Sequence, residues 1–322
     1  MSLLLSLTWS LFALSTPVLA APATVQITPN LVRDLATINA LKSHITSDPH
    51  HITKNWTGSN ICAFKGIYCM KKLGSSELAV ASIDFNNYNF GGPSLLLTGF
   101  LEKLKDLSLF HIMGNGFTGE FPDLSGSADY LDEIDVTNNK FHGRFPQTIL
   151  DLDLTYLGLR FNQFSGPIPD QIYTNMPNLE ALQLNNNQFT GPISQHIGSS
   201  QVTELSLGNN KLTGPIPPSL ANAPYLEAVT VHNCSLTGTI PKELGSAKLL
   251  TDFDASGNQL TGGVPEELCA RKMTSLTVND NFLTIPLGPK CQALAAKKIL
   301  DISGNCIPGA PKQRPAAECK GH

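Results

Sequence analysis

Charge is scarce in this chain of 322 residues. Only 15% of it is Asp, Glu, Lys or Arg, against about 25% in an ordinary soluble domain. The balance is also slightly acidic, with a net charge of -4, which argues against a dedicated nucleic-acid binder, whose domain would normally be basic. No CxxC pair occurs, so the usual zinc and thioredoxin spacings are missing. HExxH, GxSxG and the phosphate loop are absent as well. Gly114-x-Gly116-x-x-Gly119 matches GxGxxG, but it precedes no long helical pattern and falls in phase with Gly143, Gly166 and Gly191. It reads as a turn. His50 and His51 sit beside Pro49 and read as an exposed loop, and Asp132 and Glu133 are neighbours on alternating strand faces, unsuited to act as an acid/base pair. No catalytic residue, metal ligand or cofactor site is expected.

Beyond the N-terminus no stretch approaches the 18 or so apolar residues of a membrane span. Residues 1–20 contain no Lys, Arg, Asp or Glu and run through Leu-rich sequence to Val18-Leu19-Ala20. This is the pattern of a secretory signal peptide cleaved after Ala20 or Ala21. Two sequons, Asn55-Trp56-Thr57 and Asn233-Cys234-Ser235, suit the same compartment. Seven cysteines are present, and disulfides are the default in a secreted chain. Cys62 and Cys69 form an isolated pair. Cys269, Cys291, Cys306 and Cys319 allow three pairings, of which Cys269–Cys291 and Cys306–Cys319 close the shorter loops.

Hydrophobic residues make up 41% of the chain, with 26 Gly and 22 Pro, enough for a substantial core. They recur with a period near 24 as LxxLxLxxNxLxGxIP. The Asn position is held by Asn115, Asn139, Asn162, Asn187, Asn210, Cys234, Asn258, Asn281 and Asn305, with Tyr88 as a degenerate start. Each LxL should form a short strand with its apolar side chains inward. The Asn side chain should satisfy backbone groups where the chain turns away, groups that cost about 1–3 kcal/mol each when left unpaired. A small thiol can replace it, which makes Cys234 a buried free cysteine. No unit buries its apolar side alone, so stacking supplies the core and the ends need caps. The expected fold is therefore a right-handed α/β solenoid of about ten units over 80–309. Its N-terminal cap would span 21–79, with a helical rhythm at Leu31, Leu35, Ile38, Leu41 and Ile45, and its C-terminal cap would end in 310–322.

Trp56 and Cys62-x-Phe64-x-Gly66-Ile67-x-Cys69 resemble the N-terminal cap of plant-type leucine-rich repeat proteins. Gly166-x-Ile168-Pro169, Gly214-x-Ile216-Pro217 and Gly238-x-Ile240-Pro241 resemble the plant repeat class. Residues 107–119, 157–169 and especially 305–319, with Pro311-x-Gln313-Arg314 between two cysteines, are similar to the repeat domain of leucine-rich repeat extensins and their short, tail-less relatives. The Ser-Pro-rich tail of extensins is lacking. The resemblance implies a secreted, non-enzymatic protein of the cell wall or apoplast that binds basic, cysteine-rich signalling peptides in wall sensing or growth control.

Outward strand positions line the concave face of such solenoids. The sites six, four, two and one before each Asn-equivalent carry Asp84, Glu133, Asp135, Glu204, Asp252, Asp254, Asp280 and Asp301, with Arg160 the sole Lys or Arg. That set is -7, leaving +3 for the rest. Such a lane would attract a cationic peptide. His111, Met113, Tyr156, Phe161 and His232 could anchor it. Asp four before Asn is also a common feature of plant repeats, which would explain Asp84, Asp135, Asp254 and Asp301 without a ligand. A wall polysaccharide held by neutral Asn side chains, an inhibitor resembling the polygalacturonase-inhibiting proteins, and an ectodomain partnering a receptor kinase are the competing expectations.

Overall fold

The computed structural model describes residues 28–72, 76–126 and 129–320. The signal peptide expected over 1–20 lies outside the described residues. Helix Pro29–His44 opens the described chain, with Pro29 in its first turn and Thr28 Oγ1 accepting from Leu31 N at 3.3 Å. It buries Leu31, Ile38 and Leu41, and also Asp34. The apolar rhythm did not reveal that buried acid. Asp34 accepts from Arg33 Nε at 2.7 Å and from Val80 N at 3.3 Å, and Arg33 reaches on to Asp106 at 2.8 Å. Burial pushes the Asp34 carboxyl above its ordinary pKa against the pull of Arg33. The acid thereby ties the cap helix to the first repeat strand. Trp56, 1% exposed, packs against Phe64, Phe85 and Phe90 beside the Cys62–Cys69 disulfide.

Strand Ile67–Lys71 pairs antiparallel with Leu78–Asp84. From there parallel strands follow in chain order to Leu300–Asp301, giving an eleven-stranded sheet among the described residues. The middle residue of each short strand points inward: Phe110, Ile134, Leu157, Leu182, Leu205, Val229 and Leu276 are all 0% exposed. Among the described residues a second, seven-stranded parallel sheet runs from Thr118–Gly119 to Gln259–Thr261, built from the LxG part of the units between. The single-strand reading of the repeat missed it. Phe117, Phe141, Phe164 and Phe189 stack at its inner edge, with successive centroids 6.5, 6.2 and 6.3 Å apart. Short 3-10 segments such as Gln195–Ser199 and Pro218–Asn222 occupy the remaining side.

The asparagines behave as the pattern requires. Asn210 Nδ2 donates to Leu184 O and Leu207 O at 3.0 and 2.8 Å, while its Oδ1 accepts from Phe189 N at 2.9 Å. Cys234 substitutes imperfectly: its thiol contacts Leu207 O and His232 O at 3.7 and 3.6 Å and is partly rather than fully buried. Burial raises the thiol pKa, which keeps it protonated and unreactive. Cys234→Asn should therefore raise stability by about 1 kcal/mol, read as a higher denaturation midpoint.

Both C-terminal disulfides close the shorter loops, Cys269–Cys291 and Cys306–Cys319. Gln313 Oε1 accepts from Ile307 N at 2.9 Å and Gln313 Nε2 donates to Ile302 O at 3.1 Å. Arg314 Nε donates to Asn281 O at 3.0 Å while its guanidinium lies 4.7 Å over Phe282. The Gln313-Arg314 pair thus stitches the cap to the last repeats. This is a plant-type leucine-rich repeat solenoid with a disulfide in each cap.

Candidate functional site

Asp84, His111, Glu133, Asp135, Tyr156, Glu204, Asp252, Asp254 and Asp301 lie on strands of the eleven-stranded sheet, while Arg160, Phe161 and Asp280 lie in the turns that follow their strands. Asp84, His111 and Asp135 are in register on three successive strands. His111 Nε2 lies 2.9 Å from Glu133 Oε2. Burial alone would lower the His111 pKa, but Glu133, with Asp135 and Asp84 beyond it, outweighs burial and raises it. A histidine whose folded pKa is raised contributes stability that is full below about pH 6.5 and is lost as pH rises through the folded pKa. His111→Gln should flatten that decline, so melting temperatures of mutant and parent should converge above that window.

Tyr156 leans over Gly158, where an added Cβ would meet Tyr156 Oη and Asp135 Oδ1, each at 2.8 Å. Tyr156 Oη bonds Gln183 Oε1 at 2.9 Å, and Gln183 Nε2 and Ser206 Oγ both donate to Glu204 Oε1, at 3.3 and 3.1 Å. Burial raises the Tyr156 pKa, so it is a neutral donor. A second group forms over Gly208, whose missing side chain leaves room for the His232 ring: an added Cβ would come within 2.6 Å of it. His232 bridges Asn209, at 3.0 Å from Nε2, and Asp254, at 3.5 Å from Nδ1. Asn209 Oδ1 also accepts from Asn233 Nδ2 at 3.0 Å.

Four of the acids have a structural task. Oδ1 of Asp84, Asp135, Asp254 and Asp301 accepts from the main-chain N two residues on, at 3.1, 2.8, 2.9 and 2.9 Å. This favours the repeat-based explanation for their presence. Asp252 and Asp280 have lighter duties: Asp252 accepts from Thr251 Oγ1 at 2.7 Å and Asp280 from Asn279 Nδ2 at 2.5 Å. Arg160 makes no ion pair among the described residues, and its Nε is buried without a hydrogen-bond partner. Phe161 is 49% exposed at φ 55°, a left-handed position that other repeats fill with Asn, Asp or Gly.

The structure thus brings Asp84, His111, Glu133, Asp135 and Tyr156 into one group and Asp254 into another with His232, with Asp252 two residues earlier on the same strand. Asp301 lies at the end of the sheet. Sequence reasoning missed Gln183 and Ser206, neutral neighbours of Tyr156 and Glu204, whereas Asn209 was among the strand-end asparagines it offered for a wall polysaccharide. Gly158 and Gly208, each at a strand position where neighbours carry side chains, were the available signal. Asn55 and Asn233, the two sequon asparagines, are both exposed. No group of three or more His, Cys, Asp or Glu suited to a metal ion occurs among the described residues. Nor is any helix there long and apolar enough to cross a membrane.

Comparison with known proteins agrees with this class. A leucine rich repeat N-terminal domain model matches residues 32–70, and a Leucine Rich Repeat model matches 178–200 and 201–223. Leucine-rich repeat extensin-like protein 6 of Arabidopsis thaliana is 41% identical over 103 residues, which cover 31% of this chain and 21% of that protein. Leucine-rich repeat extensin-like protein 4 from the same plant is 38% identical over 102 residues, covering 31% and 20%. The chain therefore matches only about a fifth of the length of these relatives. Among solved structures, PEPR1-AtPEP1 superposes with a TM-score of 0.69 at 29% identity, covering 80% of this chain and 36% of that one. The plant peptide hormone receptor RGFR1 in complex with RGF2 gives 0.60 at 31% identity, covering 64% and 34%. The chain carries a plant-type leucine-rich repeat fold, and in sequence it resembles the repeat region of the leucine-rich repeat extensin-like proteins.

Proposed function

We propose that this is a secreted, non-enzymatic binding protein of the cell wall or apoplast. Its ligand is a basic, cysteine-rich signalling peptide held on the outer face of the eleven-stranded sheet, and its role lies in wall sensing or growth control. The observation that carries this reading is the charge at the positions six, four, two and one before each Asn-equivalent: eight carboxylates against Arg160 as the sole Lys or Arg. Such a surface steers a cationic partner and speeds its association. Tyr156 and the exposed Phe161 supply the apolar contact that charge alone does not. Similarity to extensin-like proteins and to a peptide hormone receptor in complex with its ligand supports the same class of function.

The test is a pull-down from plant wall extract with the disulfide-intact, glycosylated protein, eluted by salt. Small basic cysteine-rich peptides released at moderate ionic strength are expected. Recovery of a polygalacturonase would move the function to inhibition, and recovery of a receptor kinase ectodomain would move it to co-reception.

A further inference from the structure

A second charged surface lies at the opposite electrostatic extreme. Residues 271–322 carry eight Lys or Arg and three Asp or Glu, a net of +5, which leaves -9 for the remainder of the chain. Two of the three acids are on the outward edge of the long sheet or just beyond it, Asp280 and Asp301, and the third, Glu318, contacts Arg314 at 3.5 Å. Arg271 is spent on main-chain oxygens, including Lys248 O at 3.0 Å and Gly245 O at 3.3 Å. What remains is six exposed lysines, Lys272, Lys290, Lys297, Lys298, Lys312 and Lys320, none in an ion pair among the described residues. Lys290 and Lys297 are seven residues apart, two turns along and past the helix Pro289–Ala296, and so share one face.

Lys298 and Lys312 line an open cavity of about 990 Å³ between that helix, the last strand and the cap. Both have left-handed backbones, φ 59° and 55°, where glycine or asparagine is the ordinary choice. Lys298 follows the helix: its N–H bonds Ala295 O at 3.0 Å and the next N–H, Ile299, bonds Leu294 O at 3.0 Å. The dipole of the helix accounts for a cation at Lys297. It does not account for a lysine at the left-handed position after it, nor for a second one across the same cavity. Among the described residues the lining has a single carboxylate, Asp301, whose Oδ1 is held by Ser303 N and Oγ at 2.9 and 2.8 Å. Pro286, Pro308 and Pro311 supply flat apolar surface, and no aromatic side chain is present, as base stacking would require.

We propose that this end of the solenoid binds an acidic polysaccharide of the polyuronate type, with Lys298 and Lys312 meeting carboxylates and the prolines meeting the C–H faces of the sugar rings. The proposal rests on the extracellular placement above but not on the peptide site. One molecule would then hold a cationic ligand on its sheet face and an anionic polymer at its end.

The variant K298N/K312N separates charge from folding, because asparagine accepts the left-handed backbone better than lysine. Its melting temperature should equal or exceed that of the parent. Binding to polygalacturonate, followed by calorimetry at moderate salt, should weaken at least about tenfold. Fully methyl-esterified polymer should not bind the parent protein. Equal polygalacturonate affinity in a folded double variant would overturn the proposal. So would failure of the parent to bind, equal binding of the esterified polymer, or preferential binding of RNA or anionic vesicles.

Discussion

Asn281→Ala should cost about 3–5 kcal/mol, measured by urea denaturation of the mature protein. Asn281 is 0% exposed. Its Oδ1 accepts from Leu260 N at 3.0 Å, and its Nδ2 donates to Ala255 O at 3.0 Å and Val278 O at 3.2 Å. Alanine leaves those groups in a dry turn without partners, at about 1–3 kcal/mol each, with some relief from relaxation. Leu260 and Ala255 belong to the preceding unit and Val278 to Asn281's own, so the loss acts mainly on stacking between successive repeats. A change below 1 kcal/mol would mean that the ladder is decorative and that the leucine core alone holds the units in register.

Removing the Cys269–Cys291 disulfide as a double alanine variant should be comparably severe. The bridge closes 22 residues, for which chain entropy alone predicts about 3 kcal/mol. Both cysteines are nearly inaccessible, 4% and 0% exposed, so truncation also leaves a cavity. Amide exchange should rise first in the last two repeats, because a solenoid opens from an uncapped end. Uniform acceleration along the chain would contradict this capping role. The Cys62–Cys69 bridge closes only seven residues, and its removal should cost less by the same argument.

These predictions concern what was most legible in the sequence. A 24-residue period with Asn at one fixed place dictates both the strand and the turn that leaves it, because a buried backbone amide must find a partner. The second sheet was less visible. Its strands come from Gln188–Pro192 and its equivalents, where glycine and proline argue against strand structure when judged locally. Pairing between units, not local propensity, makes them strands. Asp34 was hidden for a related reason: an acid in an apolar stripe looks like an error until Arg33 and the Val80 amide are placed beside it.

The candidate site divided along similar lines. Strand alternation offered the acids as one outward-facing set, though Asp280 falls in the turn after its strand. It could not show that Asp84, Asp135, Asp254 and Asp301 each cap the backbone two residues ahead, which makes them poor targets for testing binding. Nor could it show His232 lying over Gly208 or Tyr156 over Gly158, since both depend on a side chain folding across a glycine. Phe161 at a left-handed position and the unpartnered Arg160 Nε remain the features of this face that the fold does not explain.

The most direct measurement is therefore the affinity of a basic cysteine-rich peptide for a D252N/D280N variant across a salt series. Asparagine keeps the hydrogen bonding of both sites and suits the left-handed backbone of Asp280 at φ 56°, so the solenoid should stay folded. Two carboxylates fewer should weaken binding about tenfold at low salt and make the salt dependence shallower. An affinity and a salt dependence identical to the parent would contradict the acidic face as the place where the peptide binds.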